Sequence, residues 1–191
     1  MAQIIKDRQN AFADYNIKIY DNFITKTYHK EILNMMSGFN FGWFYQNNLT
    51  GNNFQSVDLE AHGFQHWFWH ESTGQRHSPD TQFILPLIYN IMDITDTNEI
   101  IRIRGDMTMY STIGYKHQNH VDFPFTNIAA VYYVNDSDGN TVFPDQEVEP
   151  KANRLVTFSG DIPHTGHSPS KHKNRILINS NYMIGKKFNA I

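Results

Sequence analysis

Two histidines and one aspartate in the second half of the chain have the types and spacing of a metal site. His120 and Asp122 are two positions apart in a segment that reads as extended, and alternate residues of a strand point to the same face. His164 follows the predicted strand 154–159 in a turn-rich segment, where it can supply a third ligand. Two imidazoles and one carboxylate on one side of an iron ion leave positions open for O2 and a chelating cosubstrate.

Each part of this pattern also has an ordinary structural explanation. A His-x-Asp pair arises often in a chain with 10 histidines and is typical of a polar strand end facing solvent. A loop histidine is usually a surface residue; His167 competes with His164 as the third ligand, and His172 is a poorer candidate. The metal interpretation therefore depends on further residues that fit the same chemistry.

Arg175 is such a residue. It begins the predicted strand 175–183 and, facing inward, would need an anionic partner, because an unpaired buried charge is costly. A carboxylate bound bidentately would provide one. Tyr110 and Tyr133 lie on other predicted strands and could donate to the same carboxylate, although a core or rim aromatic is the more usual role of a tyrosine.

The composition restricts the class of protein. With 191 residues one domain is expected, and the absence of cysteine excludes thiolate nucleophiles, cysteine-ligated zinc and iron–sulfur clusters. A net charge of −3 provides no basic surface for nucleic acid or an anionic membrane. The sequence shows neither an apolar signal segment nor a run near the roughly 20 apolar residues of a membrane span, so we expect a cytoplasmic protein.

The first half of the chain is predicted to contain one short strand and two helices, at 17–20, 25–36 and 79–91. Thr25 can cap the first helix. In the second helix Phe83, Leu87 and Ile91 form one apolar stripe, and Pro86 lies inside the pattern, where it is expected to kink the helix.

The second half changes to a strand period, with predicted strands at 99–110, 127–135, 141–143, 154–159 and 175–183. In the first of these an apolar face alternates with a polar face formed by Arg102, Arg104, Asp106, Thr108 and Tyr110. The sequence 138–140, Asp-Gly-Asn, predicts a hairpin turn. Helices followed by many short strands predict a mainly β domain with flanking helices, either a jelly-roll or a barrel.

Taken together, the residues resemble the Fe(II)/2-oxoglutarate-dependent dioxygenases, and within them the prolyl-4-hydroxylase-like branch with its small phage and bacterial members. The resemblance covers roughly 99–183 and is carried by four stretches: 110–122 with Tyr-x-x-x-Gly-Tyr and His-x-Asp, 130–135, 158–164 and 175–178. It implies a double-stranded β-helix, or jelly-roll, with the metal at one mouth. The whole of 1–191 would be one oxygenase domain, with a helical and aromatic part to about 98 and the core at about 99–185.

The resemblance also implies a role for each candidate residue. His120, Asp122 and His164 would bind Fe(II), and Arg175 would bind the distal carboxylate of 2-oxoglutarate. Tyr110 and Tyr133 would assist Arg175. The implied reaction uses O2 to hydroxylate a C–H bond and releases succinate and CO2.

The sequence leaves the substrate open between a peptidyl proline or other protein side chain and a free amino acid or other small molecule. Arg175 stands where the collagen-type enzymes have Lys, and the 138–140 turn lacks the Gly-Gly-Glu of many relatives, so the substrate is less defined than the chemistry. An enzyme acting on alkylated nucleobases is disfavoured by the acidic net charge. A non-catalytic binding module and a cupin-like metal protein remain alternatives, neither of which needs Arg175; the oligomeric state stays open.

Two further groups of residues, outside the metal-site pattern, could contribute to the site. The histidines at positions 62, 66 and 70 would share a face on a helix, where they could bind zinc as a second metal, but 63–70 reads better as an extended strand or flap, on which they would also share a face. We expect this flap to cover the metal mouth, with Trp67, Phe68 and Trp69 contacting substrate; simple core packing is the equal alternative. The second group orients the metal ligands by hydrogen bonds, with candidates Asn119, Asn179 and Asn181.

Overall fold

The protein is described by a computed structural model that covers residues 17–49, 59–70, 75–76 and 78–184. Two α-helices are present in these ranges, α1 (Lys26–Ser37) and α2 (Thr81–Thr95). The strands are β1 (Lys18–Asp21), β2 (Phe44–Gln46), β3 (Gly63–His70), β4 (Gln75–Arg76), β5 (Thr97–Met109), β6 (Ile128–Tyr133), β7 (Thr141–Val142), β8 (Glu147–Val148), β9 (Arg154–Ser159), β10 (Thr165–Gly166) and β11 (Asn174–Ile184). No helix in the described ranges has the length and apolar character needed to cross a membrane.

The strands form two antiparallel sheets. The large sheet has the order β1-β9-β6-β11-β5-β3-β2, with β4 paired to β3, and the small sheet has the order β10-β7-β8. An apolar cluster joins them: Phe143 and Val148, from the region of the small sheet, pack with Val131 and Leu177 of the large sheet. This arrangement confirms the predicted mainly β jelly-roll.

The two helices cover the other face of the large sheet. Ile32 of α1 and Leu87 of α2 are fully buried in a second cluster, which also contains Ile103 of β5 and Ile178 of β11. Burying one such aliphatic side chain contributes roughly 1.5–3 kcal/mol to folding. The large sheet is therefore apolar towards the helices, which leaves its other face for the polar side chains of the site.

The helices confirm most of the sequence prediction. The Thr25 hydroxyl accepts a hydrogen bond from the backbone N–H of Tyr28 at 3.4 Å and so caps α1. Helix α2 begins two residues after Pro79 and continues to Thr95. The predicted apolar stripe was wrong at Phe83, which is 40% exposed; the buried stripe consists of Ile84, Leu87, Ile88 and Ile91.

The predicted hairpin at 138–140 is also wrong. Strand β6 pairs with β9 and β11, whereas β7 pairs with β8 and β10, so this turn passes from one sheet to the other. The Asp138 carboxylate accepts hydrogen bonds from the backbone N–H groups of Ser170, Lys171 and His172. Asp138 of this turn therefore binds a distant segment of the chain and does not close a two-residue hairpin.

Asn153 joins the N-terminal segment to the core, and its replacement by alanine is expected to destabilise the fold. Its side chain accepts from the Ile24 N–H at 3.0 Å and from the Tyr132 hydroxyl at 3.1 Å, and donates to the Ile24 carbonyl at 2.8 Å. Its φ of 63° lies in the left-handed region. Alanine would leave the Ile24 backbone groups and the Tyr132 hydroxyl without these partners, and it would be strained at a left-handed φ. Together these effects should lower the free energy of unfolding, measured by urea titration, by about 2–4 kcal/mol.

Asn153→Gly is the matched control, because it loses the same hydrogen bonds without the strain. It should be about 1 kcal/mol more stable than Asn153→Ala. An alanine variant within about 0.5 kcal/mol of the wild type, which is the scatter of ordinary surface substitutions, would contradict the role of these bonds.

Candidate active site

The three predicted metal ligands come together at one end of the jelly-roll. His120 and His164 form an isolated antiparallel bridge, in which each backbone N–H donates to the other's carbonyl, at 3.0 and 2.9 Å. One ligand atom from each of His120, Asp122 and His164 lies within 4.8 Å of the others. Within the described ranges, these three residues are the one group of three or more His, Cys, Asp or Glu side chains close enough together to hold a metal ion.

Hydrogen bonds orient both imidazoles. The Nδ1 atoms of His120 and His164 lie 3.2 and 3.0 Å from the carbonyls of Gln118 and Ile162. Because a carbonyl only accepts, each Nδ1 carries the proton in these bonds, and each Nε2 keeps its lone pair for a metal. The His120 Nε2 atom is 3.9 Å from Asp122 Oδ1.

Asp122 is held in its ionised form. Arg102 Nη2 lies 2.7 Å from Asp122 Oδ1, and the amide of Asn181 donates to Oδ2 at 2.9 Å. Burial is the strongest single influence and by itself would raise the pKa of Asp122. The charges of Arg102 and Arg104 and the hydrogen bond from Asn181 together exceed it and hold that pKa well below the usual carboxyl range. Each carboxylate oxygen has a second lone pair, so a metal can still bind.

His164 is held in its neutral form. Burial lowers its pKa below the usual imidazole value, and this effect exceeds the opposing attraction of Asp122. Two oriented imidazoles and one ionised carboxylate form the donor set of a non-haem Fe(II) site with open positions. The residues therefore fit the metal that the sequence resemblance implied.

Arg175 lines the same cavity as the triad histidines. Its Nη2 donates to the Thr141 hydroxyl at 2.6 Å, and its guanidinium lies 5.7 Å from the centre of the Tyr133 ring. The Nε atom is buried and has no hydrogen-bond partner in the described part of the chain. A Cβ at Gly166 would lie 2.9 Å from Arg175 Nη1, so the glycine gives the guanidinium its space.

The two predicted helper tyrosines differ in position. Tyr133 is fully buried, and its hydroxyl lies 2.6 Å from the Thr141 hydroxyl, so it supports Arg175 through Thr141. Tyr110 follows the end of β5, is 52% exposed and is not among the residues that line the cavity. The structure therefore brings Tyr133 to the site and leaves Tyr110 at the surface.

The competing histidines lie outside the triad. His172 pairs with Asp138 at 2.8 Å. His167 bridges Lys116 in the neighbouring segment, and its Nε2 is buried without a hydrogen-bond partner in the described ranges.

The cavity is small, with a volume of about 60 Å³. Besides the triad histidines and Arg175, its wall includes Arg104, Asp106 and Thr108 from the polar face of β5. Sequence reasoning identified that face but did not assign it to the site. The signal was present, because a strand with one polar and one apolar face inside a two-sheet fold must turn the polar face towards a cavity or solvent.

The 63–70 segment is a strand of the large sheet, as predicted, but most of its aromatic residues are structural. A register shift between Trp67 and Trp69 places fully buried Phe68 in the core cluster, with Trp69 packed against it. His66 is buried, and its Nδ1 donates to the Gly42 carbonyl at 2.6 Å. Of the three predicted substrate contacts, Trp67 lies against a residue of the cavity wall, with its ring centre 5.8 Å from the guanidinium carbon of Arg104.

The three predicted orienting asparagines also differ. Asn181 contacts Asp122 directly, as described above. Asn179 lines the cavity and accepts from Arg102 at 3.5 Å. Asn119 is exposed.

Comparisons with known proteins agree with this architecture. No protein-family profile and no curated protein matches the sequence. Solved structures do match: a Pseudomonas putida prolyl-4-hydroxylase is 16% identical, with a TM-score of 0.56 over 92% of this chain and 97% of that one. A prolyl hydroxylase from Trichoplax adhaerens, in complex with a hypoxia inducible factor peptide fragment, is 14% identical, with a TM-score of 0.62 over 95% and 93% of the two chains.

A third matching structure is an enzyme with a different activity. The non-haem α-ketoglutarate-dependent epimerase of nogalamycin biosynthesis is 12% identical, with a TM-score of 0.62 over 96% of this chain and 83% of that one. At these identities the likeness establishes the fold. By fold, therefore, the chain is similar to prolyl hydroxylases and to this epimerase, and it has the double-stranded β-helix of the Fe(II)/2-oxoglutarate oxygenases.

Proposed function

We propose that the protein is an Fe(II)- and 2-oxoglutarate-dependent dioxygenase that hydroxylates a C–H bond. The observation that carries the proposal is the triad of His120, Asp122 and His164, whose two histidines line the same cavity as the inward-facing Arg175. A metal-binding module of the cupin type would need the triad alone. Arg175 adds a second, cationic site of the kind that binds a carboxylate.

The residues of the chain have distinct tasks in this reaction. His120, Asp122 and His164 would hold the metal, while Arg175 and Thr141 would bind the distal carboxylate of 2-oxoglutarate. Fe(II), when bound, would supply the oxidising chemistry: O2 and 2-oxoglutarate are consumed, one oxygen atom enters the substrate C–H bond, the other enters succinate, and CO2 leaves. Apolar Val131 and Leu177 line the same cavity and would limit the access of water.

The relatives support two kinds of substrate. One similar prolyl hydroxylase was solved with a peptide fragment, which favours a protein or peptide, and the similar epimerase belongs to nogalamycin biosynthesis, which favours a small molecule.

Anaerobic titration tests the proposed cofactors. Adding Fe(II) and then 2-oxoglutarate to metal-free protein should produce the weak visible charge-transfer band of the chelate. His164→Ala should abolish this band, because it removes one of three metal ligands. His167→Ala is the matched control: it removes a neighbouring histidine of the same segment and should retain the band.

Three outcomes are decisive. A band in the wild type and in His167→Ala, but not in His164→Ala, supports the proposal and the choice of His164 as the third ligand. A band lost in His167→Ala but kept in His164→Ala would reassign the third ligand. Absence of a band in folded wild-type protein would overturn the proposal in favour of a cupin-like or binding module.

A further inference from the structure

We propose that Arg104 binds a carboxylate of the substrate, so that the substrate class is a carboxylic acid. This inference rests on the proposed oxygenase function and adds a recognition residue to the same cavity. The carboxylate could belong to a free small acid, such as an amino acid, or to an acidic side chain of a peptide. The chemistry is shared, and the experiment below separates the two sources.

The position of Arg104 is set by the sheet. Arg104, Asp106 and Thr108 alternate on the face of β5 that lines the cavity, beside His120 and His164. Arg104 therefore belongs to the same wall as the metal site, on a different strand from Arg175 of β11.

Neighbouring residues hold the Arg104 side chain in place but leave hydrogen-bond donors of its guanidinium without a partner in the part of the chain that the structure describes. Its Nε lies 2.8 Å from Asp106 Oδ1, but the two atoms are not aligned for a hydrogen bond, and both are buried without a hydrogen-bond partner among the described residues. Trp67, opposite Arg104 in the register of β3 and β5, places its ring 5.8 Å from the guanidinium carbon.

The terminal Nη groups of Arg104 are thus available. Within the described ranges, its contacts are the Asp106 ion pair and the Trp67 ring. A guanidinium has five N–H donors in a planar fork that matches the two oxygens of a carboxylate. A side chain held from both sides, with its fork unused, is preorganised for such a ligand because little rotamer entropy remains to be lost.

The charge balance of the cavity points to the same ligand. Two arginines, Arg104 and Arg175, and one aspartate, Asp106, line it, while Arg102 and Asp122 neutralise each other as an ion pair. Fe(II) and the 2-oxoglutarate dianion would cancel each other's charge. One positive charge remains uncompensated, and a substrate carboxylate would neutralise it in a site where an unpaired charge is costly.

The test uses the full chain loaded with Mn(II), as a redox-inert substitute for Fe(II), and saturating 2-oxoglutarate. In one arm the ligands are the free L-amino acids and unbranched monocarboxylic acids, each with its primary amide. In the other arm they are short peptides with a central Glu, each with its Gln counterpart. Thermal shift followed by calorimetric titration measures binding.

A carboxylate ligand in one of the arms should bind, while its neutral counterpart should not, and that arm identifies the source. Arg104→Gln should weaken this binding about ten- to a hundredfold, the usual range for hydrogen bonds to a charged group. Arg104→Lys, which keeps the charge but loses the fork, should recover only part of the affinity. Exposed Lys30 on α1 is the matched control, and Lys30→Gln should bind like the wild type.

The affinity for 2-oxoglutarate separates this inference from the proposed function. It should change less than threefold in Arg104→Gln. Three results would overturn the role of Arg104 alone. They are equal binding of acids and amides, full ligand affinity in Arg104→Gln, and no carboxylate ligand in either arm although 2-oxoglutarate still binds. Failure of wild-type protein to bind 2-oxoglutarate would overturn the oxygenase assignment.

Discussion

Asp122→Asn is expected to abolish stoichiometric Fe(II) binding and, with it, all formation of succinate. Asp122 is the anionic member of the triad, and its ionised state is maintained by Arg102 at 2.7 Å. An amide has nearly the same shape and can still accept from Arg102, so the fold should survive. The loss then measures the missing charge and metal ligand, and metal analysis after anaerobic gel filtration records it.

Asp122→Ala should show the structural cost of the same position. It leaves the Arg102 guanidinium buried without its partner, and breaking a buried ion pair from one side usually costs about 3–5 kcal/mol. Adding Arg102→Met removes the stranded charge and should restore much of the stability, measured by urea unfolding, without restoring metal binding. Stoichiometric Fe(II) binding by Asp122→Asn, or stability unaltered in Asp122→Ala, would contradict this account of the site.

Arg175→Gln is expected to raise the 2-oxoglutarate concentration needed for half-maximal turnover by roughly ten- to over a hundredfold, the value of a charge-assisted hydrogen bond. Arg175 is buried in the cavity wall, its Nε has no hydrogen-bond partner in the described residues, and Gly166 leaves space beside its Nη1. Iron binding should be unchanged, since Arg175 is not a member of the triad. Succinate formation and anaerobic titration both measure the shift.

Thr141→Val is the graded control for this prediction. It removes the hydroxyl that accepts from Arg175 at 2.6 Å but keeps the charge and the side-chain volume. The 2-oxoglutarate requirement should then rise only about two- to tenfold, as expected for one hydrogen bond. An unchanged requirement in Arg175→Gln would show that the cosubstrate carboxylate is bound elsewhere in the cavity.

Local patterns in the sequence determined which face β5 buries and where α1 begins. The alternation along β5 separated the apolar side that packs on the helices from the polar side that lines the cavity, and the Thr25 cap marked the start of α1. These predictions succeeded because side-chain direction follows from the strand and helix periods alone. The fold class and the triad depended in addition on the resemblance of a set of motifs spread over the second half of the chain.

Only the tertiary structure decided which distant residues meet. The bridge between His120 and His164, and the contact of Arg102 with Asp122, depend on the order of strands in the sheets. For the same reason the 138–140 turn, which has a hairpin sequence, connects two sheets instead. Periodicity specifies a buried face but not its partner, because the partner is chosen by the packing of the whole chain.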